Sequence, residues 1–491
     1  MPTRTALAIL VPSLALALGV VHTGCSGGES TVLSDGQSAD GASGGLGTPG
    51  SSGTGPGSSG ASGGGGSSGA STSGGSDPAV TAGDVVVTDI ALGSNVITNE
   101  DEAGLLPIVL SALPSGASKI AFQGNDGAVH VKTLDAAGVP TGAEVSIPAH
   151  DFSDFYATES GGVLLLTRAA QGGGTLNCGN PANLCGTAPS PAVPCFDMYL
   201  VGFTDAGETW ATKVTSSSAD LPPYSTSKTG PTSFMVWWYA HHGRIASDGT
   251  RFAGYFGDAI SVSEGGCINI HQGDRMKIVG ADGAPSGGGF DLGCSHSGYE
   301  RIVWDPRKSD FVTVCQTDNA NRIAFAPSYG TIKPVNLRYA SFGDFVLDGE
   351  AGGYWGVVSD RREGQPSEGD GMADVHLLHF GEGVTPADLV VTNGLAENER
   401  APHLARYGVS NLLAIWDSSP ALGTLRGDDG ARRTFVQARA LADGAAIGQP
   451  LELPLHGSRY QAPVTYPDGS VGILGNGAAG GVVKLVRIAA P

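Results

Sequence analysis

A strand of alternating apolar and polar residues, a turn rich in Gly or Asp, and a second, more apolar strand recur from residue 77 onward. Seven copies are identified: 119–123 with 128–133, 155–158 with 163–167, 244–247 with 252–256, 301–304 with 311–315, 345–347 with 354–358, 403–406 with 412–416, and 462–466 with 471–474. Two pairs of neighbouring copies begin 57 or 58 residues apart. This period predicts an all-β fold, a β-propeller of seven four-stranded blades.

The end of the chain supports a closed ring. After the last hairpin comes one more strand, 482–488, so the final blade lacks a strand that residues 85–92 could supply. Closure removes an open sheet edge. Six or eight blades are the alternatives to seven, and two β-sandwiches are the alternative fold, which the even spacing disfavours. No stretch keeps a helical period for three turns; the nearest, 105–113, contains Pro107.

Composition and charge narrow the class of protein. Only 15% of the residues are charged, which excludes a coiled coil, and the high content of Gly, 78 residues, favours short strands joined by tight turns. The chain has 27 basic and 47 acidic residues and a net charge of −20. This balance predicts no nucleic-acid partner and no electrostatic attraction to anionic lipid.

The amino end predicts export. Arg4 precedes an apolar run, 6–21, that is too short for a membrane span and reads as a secretory signal. The run ends at His22-Thr23-Gly24-Cys25, which resembles the bacterial lipobox, although His22 stands where Leu is usual. The resemblance implies a signal peptide over 1–24, a lipid on Cys25, and a location at the bacterial outer membrane or cell surface. An ordinary secreted protein cleaved elsewhere is the alternative.

A flexible tether is expected after the lipid. Residues 26–76 contain 19 Gly and 15 Ser and no Lys, Arg or aromatic residue, so they cannot bury enough apolar surface to offset the entropy of ordering. We assign 25–77 to a lipidated, disordered tether and 78–491 to the propeller. The arrangement resembles the Gly/Ser-tethered surface lipoproteins of myxobacteria.

Candidate binding residues come from the segments just before the inner strands. In a propeller these segments crowd one mouth of the central channel, called the top face. They offer mainly His, Tyr, Arg or a carboxylate: His150, Asp151, His241, His242, His296, Tyr299, Arg338, Tyr339, Glu399, Arg400, Arg459 and Tyr460. For any single residue, packing between blades is the competing interpretation. For the ring as a whole, a binding face is favoured.

The densest polar stretch combines residues 271–277 and 293–301, with His271, Asp274, Arg275, His296, Tyr299 and Arg301. Ser295, His296 and Asp274 could form a triad, but no GxSxG elbow surrounds a serine. The histidines lack the close spacing of a zinc motif, so no metal and no cofactor are predicted. Trp238 could stack under a sugar ring; packing between blades is an equal alternative.

Six cysteines remain once Cys25 is assigned to the lipid, an even number that predicts three disulfides in an exported protein. They form two groups of three: Cys178, Cys185 and Cys195, and Cys267, Cys294 and Cys315. Full pairing therefore requires at least one bridge between the groups, which would fasten residues 171–194 over blades three and four.

Two functions fit these observations. The first is a monomeric, lipid-anchored propeller that binds a glycan or an envelope or extracellular protein through its top face. The second is a polysaccharide-degrading enzyme. It would be a lyase similar in fold and residue type to known propeller lyases, with His296, Tyr299, Arg275 and Arg301 as catalytic candidates. The sequence does not decide between them.

Overall fold

The structure is a computed structural model of the chain. It describes residues 79–93, 108–168, 196–216, 232–234, 243–264, 267–294, 300–317, 322–327, 330–331, 341–349, 352–362, 372–394, 397–420, 432–457, 461–476 and 481–491. The signal, lipid and tether predicted for residues 1–77 lie outside these ranges and stay predictions. In the described part of the chain, no helix is long and apolar enough to cross a membrane.

The described strands form seven separate four-stranded sheets, which confirms a β-propeller of seven blades. In chain order the strands are β1 (Val85–Ala91), β2 (Ile108–Ala112), β3 (Ser118–Gln123), β4 (Ala128–Leu134), β5 (Pro140–Pro148), β6 (Phe152–Thr158), β7 (Gly161–Arg168), β8 (Asp197–Thr204), β9 (Gly207–Lys213), β10 (Thr232–Phe234), β11 (Arg244–Ser247), β12 (Arg251–Glu264), β13 (Cys267–Gly280), β14 (Arg301–Asp305), β15 (Asp310–Thr317), β16 (Arg322–Ala326), β17 (Gly330–Thr331), β18 (Ser341–Leu347), β19 (Gly353–Arg361), β20 (Ala373–Gly381), β21 (Ala387–Val390), β22 (Asn398–Tyr407), β23 (Asn411–Ser419), β24 (Arg433–Ala440), β25 (Ala446–Leu453), β26 (Val464–Thr465), β27 (Val471–Asn476) and β28 (Val482–Ile488). A short 3₁₀ turn, Ala82–Asp84, precedes β1.

Six of the seven blades are antiparallel meanders, and in blade 3 the long strand β12 pairs with β11, β13 and β10. The inner strands of blades 1 to 7 are β2, β6, β11, β14, β18, β22 and β26, and residues from all seven line one axial cavity. Six of the seven predicted hairpins coincide with the first two strands of a blade. The face on which these inner strands begin is the top face.

The hairpin predicted for blade 1 is displaced by one strand. Residues 119–123 and 128–133 fall in β3 and β4, the second and third strands, and the inner strand is β2. This strand lies within the segment that came nearest to a helical pattern. Ile108, Val109 and Leu110 are all buried, so β2 shows a continuous apolar run instead of the alternation expected of a strand with one exposed face.

The ring closes as the sequence predicts. β1 is the outer strand of blade 7 and pairs antiparallel with β28 along its full length, from Val85 opposite Ile488 to Ala91 opposite Val482. The last blade is thus completed by the first strand of the domain. The amino and carboxyl ends of the propeller lie next to each other, since Ala489 donates a backbone hydrogen bond to Asp84.

The cores lie between neighbouring blades. Each buried cluster joins side chains from two adjacent sheets; one example combines Leu165 and Leu200 of blade 2 with Phe252 and Phe256 of blade 3. Blade 3 also carries an elongated hairpin. β12 and β13 have 14 residues each, about 45 Å at strand spacing, so the hairpin extends beyond the top face, where β10 pairs with it.

Candidate functional site

Charged side chains converge on the axial channel part-way along the inner strands. The channel holds a cavity of about 290 Å³. Asp154 of blade 2, Arg244 of blade 3, Arg301 of blade 4 and Asp344 of blade 5 line it. A fifth residue, His403 of blade 6, contacts Asp344 through its ring atom Nδ1. Five consecutive blades therefore place a polar residue at one level of the channel, and we call this set the channel ring.

Three of the inner strands contain a β-bulge next to a residue of the channel ring. The pairing of inner and second strands shifts register between Phe152 and Asp154, between Phe342 and Phe345, and between Arg400 and His403. Such β-bulges redirect a side chain and are frequent near functional sites. In blade 5 the residue before Asp344 must be Gly343, because a Cβ there would lie 2.0 Å from the backbone oxygen of Pro402 in blade 6.

The first half of the channel ring joins blades 2 and 3. The backbone N–H of Ile245 donates to Asp154 Oδ2 at 2.7 Å, and Arg244 Nη1 donates to the carbonyl oxygen of Gly243 at 2.8 Å. Burial raises the pKa of Asp154, although the charges of Arg244 and Arg301 act in the opposite direction. The protonated form of this carboxyl is thus favoured relative to an exposed aspartate.

The second half of the channel ring is a chain of three groups. Arg301 Nε donates to Asp344 Oδ1 at 3.1 Å, and His403 Nδ1 lies 2.6 Å from Asp344 Oδ2. Burial, and then the nearby charge of Arg244, lower the pKa of Arg301 to about 10. Burial alone would raise the pKa of Asp344, but His403 and Arg301 hold it well below its usual range. Asp344 is therefore the firmly ionised carboxylate of the ring.

A separate buried acidic cluster lies where the long hairpin leaves blade 3. Asp258, Asp274 and Glu300 are all fully buried there. The Tyr255 hydroxyl donates to Asp274 Oδ2, and burial together with the charges of Glu300 and Asp258 raises the pKa of Asp274 well above its usual value. Arg275 is the neighbouring cation, 3.7 Å from Asp258.

Two acids that share one arginine lie on the top side of blades 5 and 6. Arg362 Nη2 contacts Asp374 Oδ1 at 2.7 Å and Glu399 Oε2 at 3.3 Å. Burial, and then the nearby charge of Asp374, raise the pKa of Glu399 to about 7, against hydrogen bonding from Thr392 and the charge of Arg362.

The opposite end of the channel is lined mainly by uncharged residues. A cavity of about 520 Å³ lies where β2, β6, β11 and β26 end, and Leu113, Tyr156 and Phe252 contribute to its lining. Its one carboxylate, Glu159, accepts hydrogen bonds from the backbone and hydroxyl of Ser115. Within the described channel, this end is therefore less charged than the level of the channel ring.

The predicted site residues are described only in part. Arg301 lies in the channel ring. Arg275 and Asp274 belong to the acidic cluster of blade 3, outside the axial cavity. Arg400 is buried and donates from Nε to Asn398 Oδ1 at 3.0 Å, and His150 stacks on Phe196 and contacts Asp151 at 2.6 Å. The side chain of His271 is outside the description, as are Trp238, His241, His242, His296, Tyr299, Arg338, Tyr339, Arg459 and Tyr460. Their convergence stays a prediction.

Sequence reasoning missed four of the five channel-ring residues because it examined the segments before the inner strands. The ring residues lie within the strands, each directly before an apolar residue: Asp154-Phe155, Arg244-Ile245, Arg301-Ile302, Asp344-Phe345 and His403-Leu404. An alignment of the internal repeats at this position would have revealed them.

The cysteines are partly described. Cys294 and Cys315 are joined, a bridge within the second group, and Cys267 also forms a disulfide bond. Cys178, Cys185 and Cys195 lie outside the described residues, so the bridge between groups stays a prediction. Among the described residues, the one grouping with metal-ligand spacing is Asp274 with Cys294 and Cys315, and these sulfurs are used in their disulfide.

Comparison with known proteins gives similarity to propeller structures. No protein-family model and no curated protein matches the chain. An α-L-arabinofuranosidase of family GH93 from Fusarium graminearum is 12% identical, with 83% of this chain and 98% of that chain covered and a TM-score of 0.41. The Dos1 propeller is 10% identical, with 81% and 95% covered and a TM-score of 0.38. These values carry no argument about activity; the assignment to the seven-bladed propellers rests on the seven sheets themselves.

Proposed function

We propose that this protein is an exported, lipid-anchored binding module that takes a glycan into the top mouth of its axial channel. The observation that carries the proposal is the channel ring: four ionisable side chains from consecutive blades line one axial cavity. Burying charged groups is costly, so a purely structural channel would be filled more stably by apolar residues. A concave pocket with a few convergent polar groups is the usual form of a ligand site.

The proposal also includes the predicted lipid anchor and tether at the amino end of the chain. A lipid on Cys25 and the Gly/Ser-rich residues 26–76 would hold the propeller at the outer membrane or cell surface while leaving it free to reorient. A monomeric propeller on such a tether would encounter extracellular polysaccharide or an envelope protein. The glycan is preferred because the residues that line the cavity include Ser111, Tyr156 and Thr465, which carry hydroxyl groups.

A polysaccharide lyase is the second candidate function. Arg301, one of its four proposed catalytic residues, lines the channel next to the cationic Arg244. Such a pair could offset charge that develops on a uronate during proton abstraction. His296 or Tyr299 would have to supply the base, and their placement stays a prediction. Arg275 lies outside the axial cavity, so it supports this function less than Arg301 does.

One experiment separates these functions. The full-length chain, purified in detergent, is screened on a glycan array and incubated with the same polysaccharides while absorbance of unsaturated products is recorded. Retention without new absorbance supports the binding module, and product formation supports the lyase. Arg301→Gln should reduce either signal, whereas Arg307→Gln, which removes an arginine paired with Asp305 outside the channel, should not. Absence of both signals with every polysaccharide refutes the proposed function.

A further inference from the structure

The cavity at the end of the channel opposite the top face has no role in the proposed function, and we call it the lower cavity. Its volume of about 520 Å³ lies inside the range of about 300–1,000 Å³ that is usual for small-molecule sites. Blades 1, 2, 3 and 7 supply its described lining, and no member of the channel ring belongs to that lining. The lower cavity is therefore a candidate for a second ligand.

Aromatic and apolar side chains make up most of the lower cavity. Tyr156 of blade 2 and Phe252 of blade 3 line it together, beside Leu113 and Pro114 of blade 1. The two rings meet edge to face, with 5.7 Å between their centroids and 68° between their planes, so they are not stacked on each other. The face of an aromatic ring attracts a cation through its quadrupole, and an apolar wall suits alkyl groups.

One carboxylate, that of Glu159, joins this lining. Glu159 lies in the turn between β6 and β7 and is exposed to solvent. Its Oε1 accepts the backbone N–H of Ser115 at 2.9 Å, and its Oε2 accepts the Ser115 hydroxyl at 3.2 Å. Both donors are neutral, and no basic side chain of the described chain pairs with Glu159. The two hydrogen bonds orient the carboxylate and leave its negative charge in place.

The charged residues that flank the lining in sequence occur as ion pairs. Three such pairs are Arg251 with Asp248 at 2.7 Å, Arg487 with Asp468 at 2.8 Å, and Lys119, which also binds the carbonyl oxygen of Gly161, with Asp205 at 3.6 Å. Each pair has no net charge. Glu159 therefore gives the lower cavity a net negative charge.

The hydrogen-bonding groups of the lower cavity are acceptors of the kind that a cation needs. Among the described lining residues, no side chain is cationic and none carries an N–H donor. Their other polar side chains carry hydroxyl groups, as in Thr158, Ser247 and Thr465. Carboxylate and hydroxyl oxygens accept hydrogen bonds from an ammonium group, whereas an anion would be repelled by Glu159. The net charge of −20 on the whole chain acts in the same direction.

We infer that the lower cavity binds an organic ammonium cation with an apolar body, recognised by the rings of Tyr156 and Phe252 and by the carboxylate of Glu159. A bare metal ion fits this lining less well, because Ca²⁺ takes six to eight oxygen ligands and the described lining has one carboxylate. The inference is independent of the glycan proposed for the axial cavity.

The test compares two probes of the same shape that differ in charge. Titration calorimetry of the full-length chain in a non-ionic detergent is carried out with choline and with its neutral analogue, in which carbon replaces the nitrogen. We expect choline to bind at least about tenfold more tightly than the neutral analogue, with an affinity that falls as salt is added. Equal affinities, or no saturable binding of choline, would overturn the inference.

Variants locate the binding of choline. Glu159→Gln should remove most of the preference for choline, whereas Glu452→Gln, which changes an exposed carboxylate of β25 outside the cavity, should keep it. Tyr156→Leu, checked by its thermal midpoint, should weaken choline several-fold more than the neutral analogue. An unchanged preference in Glu159→Gln would overturn the inference. Glu159→Gln should also keep the glycan retention of the unaltered protein, so a failure of the proposed glycan function is seen separately.

Discussion

Glu399 gives this propeller a stability that should fall as pH rises. The residue lies in β22 with 6% of its surface exposed, next to Asp374 and Arg362. Burial, and then the nearby charge of Asp374, raise its pKa from 4.5 to about 7, despite the hydrogen bonding of Thr392 and the charge of Arg362. The folded protein therefore binds a proton more tightly here than the unfolded chain does. The stabilisation from this proton is fully present below pH 4.5 and is lost as pH rises through 7.

The change in unfolding free energy follows from the same two pKa values of Glu399. A rise in pKa from 4.5 to about 7 corresponds to at most about 3 kcal/mol of unfolding free energy. Solvent reaches the cluster at Asp374, whose side chain is 16% exposed, and screens part of this interaction. We therefore expect this group to lower the free energy of unfolding by about 1–2 kcal/mol between pH 5 and pH 8.

The assay is urea denaturation followed by tryptophan fluorescence at pH values from 4.5 to 8. Glu399→Gln should leave stability at pH 5 nearly unchanged and raise it at pH 8 relative to the unaltered protein. Glu397→Gln is the matched control of opposite sign, because hydrogen bonding from Ser418 and the charge of Arg433 lower the pKa of Glu397. A Glu399→Gln protein that loses stability with pH as steeply as the original would refute the reasoning.

Three further predictions concern closure, disulfides and the anchor. Deleting Val85–Ala91 should expose the edge of β28 and cause aggregation, seen by size-exclusion chromatography, whereas replacing Val86, an exposed residue of the same strand, by Thr should not. Peptide mapping without reduction should join Cys267 to one of Cys178, Cys185 and Cys195; a bridge from Cys267 to any other residue would contradict the prediction. Mass spectrometry of the mature amino terminus should show an acylated Cys25, and an unmodified terminus elsewhere would contradict lipidation.

Much of the fold could be predicted from sequence because the blade is a local repeat. Hairpins joined by short turns bring sequence neighbours into one sheet, so 403–406 and 412–416 form β22 and β23 as expected. Closure was also predictable, since a last blade short of one strand needs a partner and residues 85–92 had the right pattern. β2 was missed because burial on both faces removes the alternation that marks a strand.

The channel ring was harder to predict because its contacts join residues that are distant in sequence. Asp344 contacts Arg301 and His403, which lie 43 and 59 residues away. Their proximity depends on the curvature of the ring and on the β-bulges next to Asp344 and His403. A β-bulge shifts the side-chain alternation, and nothing in a single sequence fixes its position. Arg301 was selected from the sequence for its chemistry, and the structure places Arg244 in the lining of the same cavity.

The central claim is that the axial channel binds a glycan at the level of the channel ring, and a crystal structure with a bound oligosaccharide tests it most directly. We expect electron density for one sugar ring in the axial cavity, within hydrogen-bonding distance of channel-ring side chains. Density in the cavity at the opposite end, next to Leu113 and Phe252, with an empty channel ring would contradict it.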